Sequence, residues 1–357
     1  MITEVIRGSL GTNRLKRAIL LGLFIAIFSM LTPILAASFG AAEIGIKQVI
    51  DAILGVVNGE SSGTVTSRIV LELRLPRILL AFIAGFGLAI AGTVLQTVTR
   101  NPLADPYLFG ISSGASFGAV LVITLLGNSD AMSGTLPSSL INSISLPIGA
   151  FVGAALSVLM VLALCGRAMS TQIERMLLSG VAVSFMFGAL TSLLLYFSGP
   201  QAAASVLFWS LGSFAKASWA GLSLPFVVIG LATAIILLSK RQILAMKAGD
   251  ETAHTLGINV QGLRLGMLLL CSLITAVLVA NCGGIGFVGL MIPHMVRLLL
   301  PGRFALLTTG LVGGLFMIWI DVLARCLLSY QELPIGIITA VIGSLFFLFI
   351  LATKRRG

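Results

Sequence analysis

Long apolar runs separated by short polar segments dominate the pattern of this chain. Ten runs carry little or no charge, and most are near the ~20 residues with which an α-helix crosses a bilayer. They cover residues 18–38, 78–98, 107–126, 144–165, 176–197, 219–239, 265–282, 286–300, 304–323 and 335–353. The pattern predicts an all-α integral membrane protein with ten transmembrane helices in a single transmembrane domain, residues 1–357, with both termini on one side.

The first run follows a basic N-terminal segment, which is also how a signal peptide begins. Its length exceeds the ~7–15 apolar residues of a signal peptide, so we interpret it as a membrane helix. With the N-terminus in the cytoplasm, most of the 22 Lys and Arg residues fall on the cytoplasmic side, as the positive-inside rule requires. The six basic residues placed outside are Lys47, Arg68, Arg74, Arg77, Lys216 and Arg325. The sequence therefore predicts an N-in, C-in topology.

Three segments between the runs have a character of their own. Residues 44–57 have apolar side chains at helical spacing, which favours a helix along the outer surface. Residues 205–214 are apolar but too short to span, which favours a re-entrant or interfacial helix buried against protein. Residues 240–262 form the longest and most polar cytoplasmic loop, where a soluble partner can dock.

Composition excludes several function classes. With 58% hydrophobic and 10% charged residues, the chain is not a water-soluble enzyme, since soluble domains carry about 25% charged residues. No predicted span has a central carboxylate, which disfavours an ion-coupled carrier. Motifs of intramembrane proteases and hydrolases are absent, and so is any Gly-Lys pair of a phosphate-binding loop. Any ATP hydrolysis must therefore come from another polypeptide.

The remaining chemistry-bearing residues have ordinary structural interpretations. The four cysteines contain no CxxC pair and lie in or beside apolar runs, so we expect small buried hydrophobes and no metal site. His294 is next to Pro293 and has no other potential metal ligand close to it in the sequence, so we interpret it as a hydrogen-bonded structural histidine. Glycines are frequent, and those at four-residue spacing predict close helix packing: Gly110, Gly114 and Gly118, with Gly85 and Gly92 in the second run.

Four separated segments resemble the FecCD-type permeases, the membrane subunits of type II ABC importers for ferric siderophores, haem and vitamin B12. They are RLPRILLAFIAGFGLAIAGTVLQTVTRNPLADPYLFGISSGASFGA at 74–119, GDETAHTLGI at 249–258, GGIGFVGLMIPHMVRLLLPG at 283–302 and ELPIGIITAVIGSLFFL at 332–348. The pair Asp321 and Arg325 belongs to the same pattern. The resemblance runs from about residue 14 to 356 and implies ten spans with an N-in topology.

The resemblance implies that outer-face arginines receive carboxylates of a periplasmic binding protein. The matching residues are Arg74, Arg77 and Arg325. Guanidinium groups suit this role because they bind carboxylates through two parallel hydrogen bonds. Two alternatives stay open: the arginines extend to the membrane interface, or Arg325 pairs with Asp321 one helical turn earlier.

On the inner face, the resemblance implies that residues 249–257 form two short helices that seat in a cleft of an ATPase subunit. Acidic residues favour a helix start, glycine suits its end, and two apolar side chains offer a docking face. The residues are Gly249, Asp250, Glu251, Ala253, Leu256 and Gly257. A solvated loop is the alternative.

The resemblance also places a cytoplasmic gate and a transport pathway at the interface of two permease subunits. Gate positions are Asn101, Leu103, Ser170 and Thr171, with plain turn chemistry as the alternative. Pathway positions on the fifth run are Met186, Phe187, Thr191 and Ser192, although Met and Phe rows are also typical of helix cores.

The predicted function is a non-catalytic permease subunit in the bacterial inner membrane that imports a ferric siderophore, or a related chelate such as haem or cobalamin, by alternating access. We expect no cofactor or metal on this chain, with ATP and Mg on a partner. Expected partners are a second permease subunit, two ATPase subunits, a periplasmic binding protein and the bilayer, but not nucleic acid. An ion-coupled secondary transporter is the alternative. The sequence does not discriminate among cargoes or between a homodimer and a heterodimer.

Overall fold

A computed structural model describes residues 22–40, 42–58, 64–127, 138–165, 173–300, 305–328 and 330–354. These residues form helices and connecting loops without a strand. The α-helices are α1 Gly22–Ser38, α2 Ile46–Val57, α3 Val65–Arg68, α4 Leu75–Val98, α5 Ile111–Gly127, α6 Ser138–Cys165, α7 Ile173–Tyr196, α8 Pro200–Ser210, α9 Trp219–Leu238, α10 Lys240–Ala248, α11 Asp250–Thr255, α12 Val260–Cys282, α13 Val288–Leu299, α14 Leu306–Cys326 and α15 Ile335–Lys354. A π-helical turn, Ile69–Arg74, joins α3 to α4, and a 3-10 turn, Pro106–Phe109, precedes α5.

Seven of the helical segments described are long and apolar enough to cross a membrane, which makes the chain a multi-pass membrane protein. Three further apolar helices, Gly22–Ser38, Ile111–Thr124 and Val288–Leu299, are shorter. Together these segments coincide with the ten predicted apolar runs. The prediction of an all-helical membrane protein is confirmed.

Helix α4 lies at the centre of the bundle. Its neighbours are α9, α12, α13 and α14, and most of its side chains are buried. A second group of helices, α5, α6 and α7, packs together and contacts α12 through α5 and α6. Both ends of α4 contact residues from the C-terminal half of the chain: Arg77 at its start pairs with Asp321, and Val98 at its end accepts from Arg264.

Glycines let these helices approach at backbone distance. A Cβ atom at Gly92 would lie 1.8 Å from the carbonyl oxygen of Gly289 in α13, and one at Gly118 would lie 2.0 Å from that of Gly149 in α6. No side chain fits at these positions without moving the helices apart. The predicted close packing is confirmed.

The segments between the apolar runs are also ordered. Helix α2 forms as its periodicity predicts, with Val49 and Ala52 buried and Leu54 exposed. The short helix predicted at 205–214 lies at Pro200–Ser210 as α8, and it is buried only in part, since Val206 is buried whereas Leu207 and Phe208 are 57% and 67% exposed. The loop that follows α8 contains Phe214, which is fully enclosed. This loop is held by hydrogen bonds from Ser213 N to Cys282 O and from Ile335 N to Gly212 O, which tie it to the end of α12 and the start of α15.

The cysteines follow the expectation in part. Cys165, Cys271 and Cys282 are buried free thiols, whereas Cys326 is exposed at the end of α14. Among the described residues, no group of His, Cys, Asp and Glu side chains is arranged to hold a metal ion.

Candidate functional site

Charged side chains form a compact cluster where α4 begins and α14 ends. Arg77 Nε lies 2.8 Å from Asp321 Oδ1, and Arg77 Nη2 lies 2.8 Å from Glu332 Oε2. Arg325 Nε lies 3.1 Å from Asp321 Oδ2, four residues earlier on α14. Asp321 is fully buried, while 45% of the Glu332 side chain is exposed. A single buried carboxylate therefore holds two guanidinium groups, and a second carboxylate covers Arg77 on the outside.

Arg325 of this cluster and the neighbouring Arg74 also bind the backbone at the end of α1. Arg74 is 6% exposed, and its two terminal nitrogens donate to the backbone oxygens of Ala37 and Ala42. Arg325 Nη1 donates to Phe39 O at 3.0 Å. These carbonyls belong to or follow the last turn of α1, where the helix itself leaves acceptors unsatisfied.

The three arginines predicted to dock a binding protein are therefore placed unequally. Arg74 and Arg325 are engaged inside the chain and are not accessible to a partner in this structure. The open alternative for Arg325, its pairing with Asp321, is present. Arg77 lies beside the exposed Glu332, which leaves it the best placed of the three to meet an incoming carboxylate.

At the opposite end of α4, the segment predicted to couple to an ATPase forms an ordered helical turn. Gly249 has φ 131°, a backbone conformation that favours glycine, and α11 begins directly after it at Asp250. Gly257 has φ 77°, and Ile258 N donates to Ala253 O at 3.1 Å to end the helix. The segment 249–257 thus holds one short helix and not two, because the other, α10, precedes Gly249.

Asp250 anchors α11 to the bundle. Its Oδ1 atom lies 2.8 Å from Arg264 Nη2, and its Oδ2 atom lies 3.0 Å from Arg100 Nη2. Arg264 is 1% exposed, and its Nε donates to Val98 O at the end of α4. Sequence reasoning missed Arg264. The signal that could have found it is a single arginine at the start of an otherwise apolar span.

The predicted docking face of α11 needs a correction. Ala253 is completely buried, so it packs against this chain and cannot contact a partner. Leu256 is 66% exposed, and Glu251 is exposed as well. The side chains available to a partner are therefore Leu256 and the exposed polar residues around it.

The turn after α4 is fixed by local hydrogen bonds. Asn101 Oδ1 accepts from Leu103 N at 2.9 Å, and Asp105 Oδ1 accepts from Tyr107 N at 2.8 Å. Burial raises the pKa of Asp105 to about 6, although the hydrogen bond from Tyr107 N opposes that shift. Leu103 is 60% exposed. The turn chemistry that was the alternative to a gate is present, and the gating role of Asn101 and Leu103 stays a prediction.

Tyr107 connects this turn to the loop between α12 and α13. Its phenol oxygen accepts a hydrogen bond from Ile285 N at 3.0 Å, and burial raises the pKa of the phenol. The other two predicted gate residues, Ser170 and Thr171, lie outside the described residues.

The four predicted pathway residues do not share one face of α7. Phe187 is 4% exposed and packs on Phe117 with ring centroids 5.4 Å apart, so in this structure it faces the core of the subunit and not an open wall. Met186 and Ser192 are exposed, and Thr191 is half-buried with its hydroxyl donated to Phe187 O. For Phe187, the alternative of core packing is what the structure shows.

Comparison with known proteins gives a consistent family relationship. Residues 23–353 match the profile of the FecCD transport family. The hemin transport system permease protein of Yersinia pestis is 34% identical over 347 residues, which cover 96% of this chain and 98% of that protein. The cobalamin import system permease protein of Halobacterium salinarum is 40% identical over 291 residues, covering 80% and 74%. A solved inward-facing structure of a candidate metal-chelate type ABC transporter aligns with a TM-score of 0.77 at 29% identity, covering 93% of this chain and 98% of that one.

Proposed function

Because the chain belongs to the FecCD transport family and is the non-catalytic permease subunit of an ABC transporter, we propose that it imports a metal chelate, with a ferric siderophore as the first candidate. Haem and cobalamin are the related cargoes, as the names of the Yersinia and Halobacterium relatives indicate for those proteins. The match across nearly the whole length of the chain carries this proposal.

The proposed topology has ten transmembrane helices with both termini in the cytoplasm. In this arrangement α10, α11 and the turn after α4 face the cytoplasm, and the Arg77–Asp321 cluster faces outward. The chain would reside in the bacterial inner membrane or, since an archaeal relative exists, in an equivalent cytoplasmic membrane. The concentration of basic residues at the α10 end supports this orientation.

The proposed assembly pairs this chain with a second permease subunit, two ATPase subunits and an external binding protein. ATP and Mg would bind to the ATPase subunits, and this chain would hold no cofactor. Exposed Leu256, directly after α11, supports the docking of an ATPase cleft, because Asp250 anchors that short helix to Arg100 and Arg264. Such an anchored connection can transmit movement from an ATPase to α4 and α12.

On the outer face, we propose that a carboxylate of the binding protein joins or replaces Glu332 at Arg77. Glu332 is half-exposed and bridges Arg77 from the solvent side, so an incoming carboxylate can reach the same guanidinium group. Asp321 keeps Arg77 oriented during that exchange.

The proposed gate and transport pathway lie at the interface between the two permease subunits. Asn101, Leu103, Ser170 and Thr171 would close the cytoplasmic end between two subunits. Met186 and Ser192 would contribute to a weakly polar pathway wall, supported by their exposure on α7.

The ion pairs of the buried carboxylate Asp321 disfavour ion-coupled transport. Asp321 lies inside α14 and is fully buried, but it is held by two arginines. A coupling carboxylate must bind and release a cation during the cycle, which this double pairing opposes.

Reconstituted uptake tests the proposal. Proteoliposomes that contain this chain, its ATPase and its binding protein should accumulate radiolabelled ferric siderophore when ATP is supplied, and not when the ATPase carries an inactivating substitution. Haem and cobalamin should be assayed in parallel to rank the cargoes. Uptake that persists without ATP and collapses with an uncoupler would establish the ion-coupled alternative.

A further inference from the structure

A cavity with both cationic and apolar side chains in its wall lies between α4, α10, α13 and α14, at the end of the bundle that carries α11. Its volume is about 320 Å³, at the lower end of the ~300–1,000 Å³ typical of ligand pockets. Three cationic side chains line it: Arg100, Lys247 and Arg297. None of the functions proposed above uses Lys247 or Arg297.

The charges of the cavity are only partly compensated. Its lining contains no acidic residue among those described. Asp250 pairs with Arg100 from outside, but the same carboxylate also pairs with Arg264. Arg297 Nη2 is buried and has no hydrogen-bond partner within the described part of the chain. A buried donor without a partner is costly, so the cavity favours an anionic ligand.

The uncharged part of the wall offers acceptors. The hydroxyls of Thr93, Thr97 and Thr309 already donate their hydrogens to the backbone oxygens four residues earlier, so only their lone pairs are free. Gln96 Nε2 donates to Gly289 O, and its buried Oε1 has no partner among the described residues. A ligand that forms hydrogen bonds with these acceptors therefore carries hydroxyl groups besides its negative charge.

We propose that this cavity binds a phosphate group with a neighbouring hydroxyl, the chemistry shared by the glycerophosphate headgroup of an anionic lipid and by free glycerol phosphate. The phosphate oxygens would accept from Arg297, Lys247 and Arg100, and the hydroxyl would donate to Gln96 Oε1 or a threonine. Basic pockets between transmembrane helices on the cytoplasmic side are suited to such headgroups.

Lys247 links the cavity to the coupling segment α10–α11. Lys247 lies in the last turn of α10, two residues before Gly249, whereas Arg297 lies on α13. A phosphate that contacts both would hold the α10–α11 segment against the bundle. We therefore expect bound ligand to reduce hydrogen exchange of α11.

Binding is tested on the purified full chain in two arms. In the first, the chain is placed in nanodiscs of phosphatidylcholine with a minor fraction of phosphatidylglycerol, and retained lipid is identified by native mass spectrometry. In the second, glycerol phosphate is titrated into the chain in pure phosphatidylcholine nanodiscs. Preferential retention of phosphatidylglycerol identifies a lipid source, and saturable binding of glycerol phosphate alone identifies a soluble source.

Variants locate the site. Arg297→Gln should weaken binding about tenfold, as expected for the loss of a charge-assisted hydrogen bond, and Arg297→Lys should keep part of the affinity. Arg241→Gln, at an exposed cation on the same helix as Lys247, should bind as the unsubstituted chain does. If Arg297→Gln fails to fold, Lys247→Gln at an exposed position provides the same test. Equal binding by the unsubstituted chain and the Arg297 or Lys247 variants, or no binding of either probe, would overturn the proposal.

Discussion

Arg77 and Asp321 are 244 residues apart in the chain, and their side chains meet with 2.8 Å between Nε and Oδ1. Through this pair the start of α4 is joined to the end of α14. Because Asp321 also holds Arg325, and Arg325 holds the end of α1, one carboxylate organises three helices.

Removal of the Asp321 charge should destabilise the protein strongly. In Asp321→Asn, the guanidinium groups of Arg77 and Arg325 would lose the buried carboxylate between them. Loss of one partner from a buried ion pair typically costs about 3–5 kcal/mol. Glu332→Gln is the matched control, because its side chain is half-exposed and such pairs contribute less than about 1 kcal/mol. Thermal melting in detergent checks the prediction, and similar melting temperatures for the two variants would contradict it.

Capture of the binding protein should respond in opposite directions to substitutions at Glu332 and Arg77. Glu332→Gln removes the internal carboxylate that covers Arg77, so affinity for the binding protein should rise. Arg77→Glu places a negative charge at the docking position, so affinity should fall. Because this substitution also removes a guanidinium group from the buried Asp321, only the folded fraction from size-exclusion chromatography is assayed. Arg68→Glu is the control for a general change of surface charge, since Arg68 is exposed and belongs to α3 at the same end of the bundle. Affinity is measured by surface plasmon resonance, and an unchanged affinity in Arg77→Glu would refute the proposed docking position.

Much of the fold could be predicted from the sequence, because hydropathy reports directly on residues that face lipid or other helices. The apolar runs located the membrane helices, and the glycine spacing predicted close helix packing, which the structure shows between α5 and α6. Asp250 and Glu251 indicated the start of α11 and Gly257 indicated its end, where the backbone angle favours glycine, although one helix forms in this segment and not two.

The charged contacts were less predictable, because they join residues that are distant in the chain. The pairing of Asp321 with Arg325 follows from helical spacing, but nothing local indicates that Arg77 binds the same carboxylate. The buried face of a short helix was also hard to predict from the sequence. Six residues of α11 do not define a buried face, so Ala253 was expected at the surface and is fully enclosed.

A charged side chain at Leu256 should uncouple ATP hydrolysis from transport. Leu256 is 66% exposed and lies at the end of α11, so Leu256→Asp should leave the permease folded while it disrupts an apolar contact with the ATPase. Leu256→Met retains an apolar side chain and serves as the control. ATPase activity and uptake are measured in the same proteoliposomes. Normal uptake in Leu256→Asp would show that α11 does not couple through this residue.

Stability should depend on pH through Asp105. Its pKa in the folded protein is raised to about 6 from 3.8, so the native state binds the proton more tightly than the unfolded chain. The contribution of this group to stability therefore falls as pH rises from about 4 to about 6, by up to about 3 kcal/mol, and stays low above that range.

Asp105→Asn removes this ionisation and keeps an oxygen that can accept from Tyr107 N. The variant should gain stability relative to the unsubstituted chain as pH rises from about 4 to about 6. Melting temperatures of both proteins across this range give the difference directly. A difference that is constant with pH would mean that Asp105 titrates at its ordinary pKa.

Gly92 should be intolerant of even one added carbon. A Cβ atom there would lie 1.8 Å from Gly289 O, so Gly92→Ala must separate α4 from α13, and overpacking of this kind costs about 1–3 kcal/mol or more. Gly266→Ala in α12 is the matched control, because nothing lies within 4 Å of its added Cβ atom and alanine favours a helix by about 1 kcal/mol. Gly92→Ala should melt at a lower temperature than the unsubstituted chain, and Gly266→Ala at the same or a higher one. Equal melting temperatures for the two variants would mean that α4 and α13 can separate at little cost, and that the contact at Gly92 does not hold the centre of the bundle together.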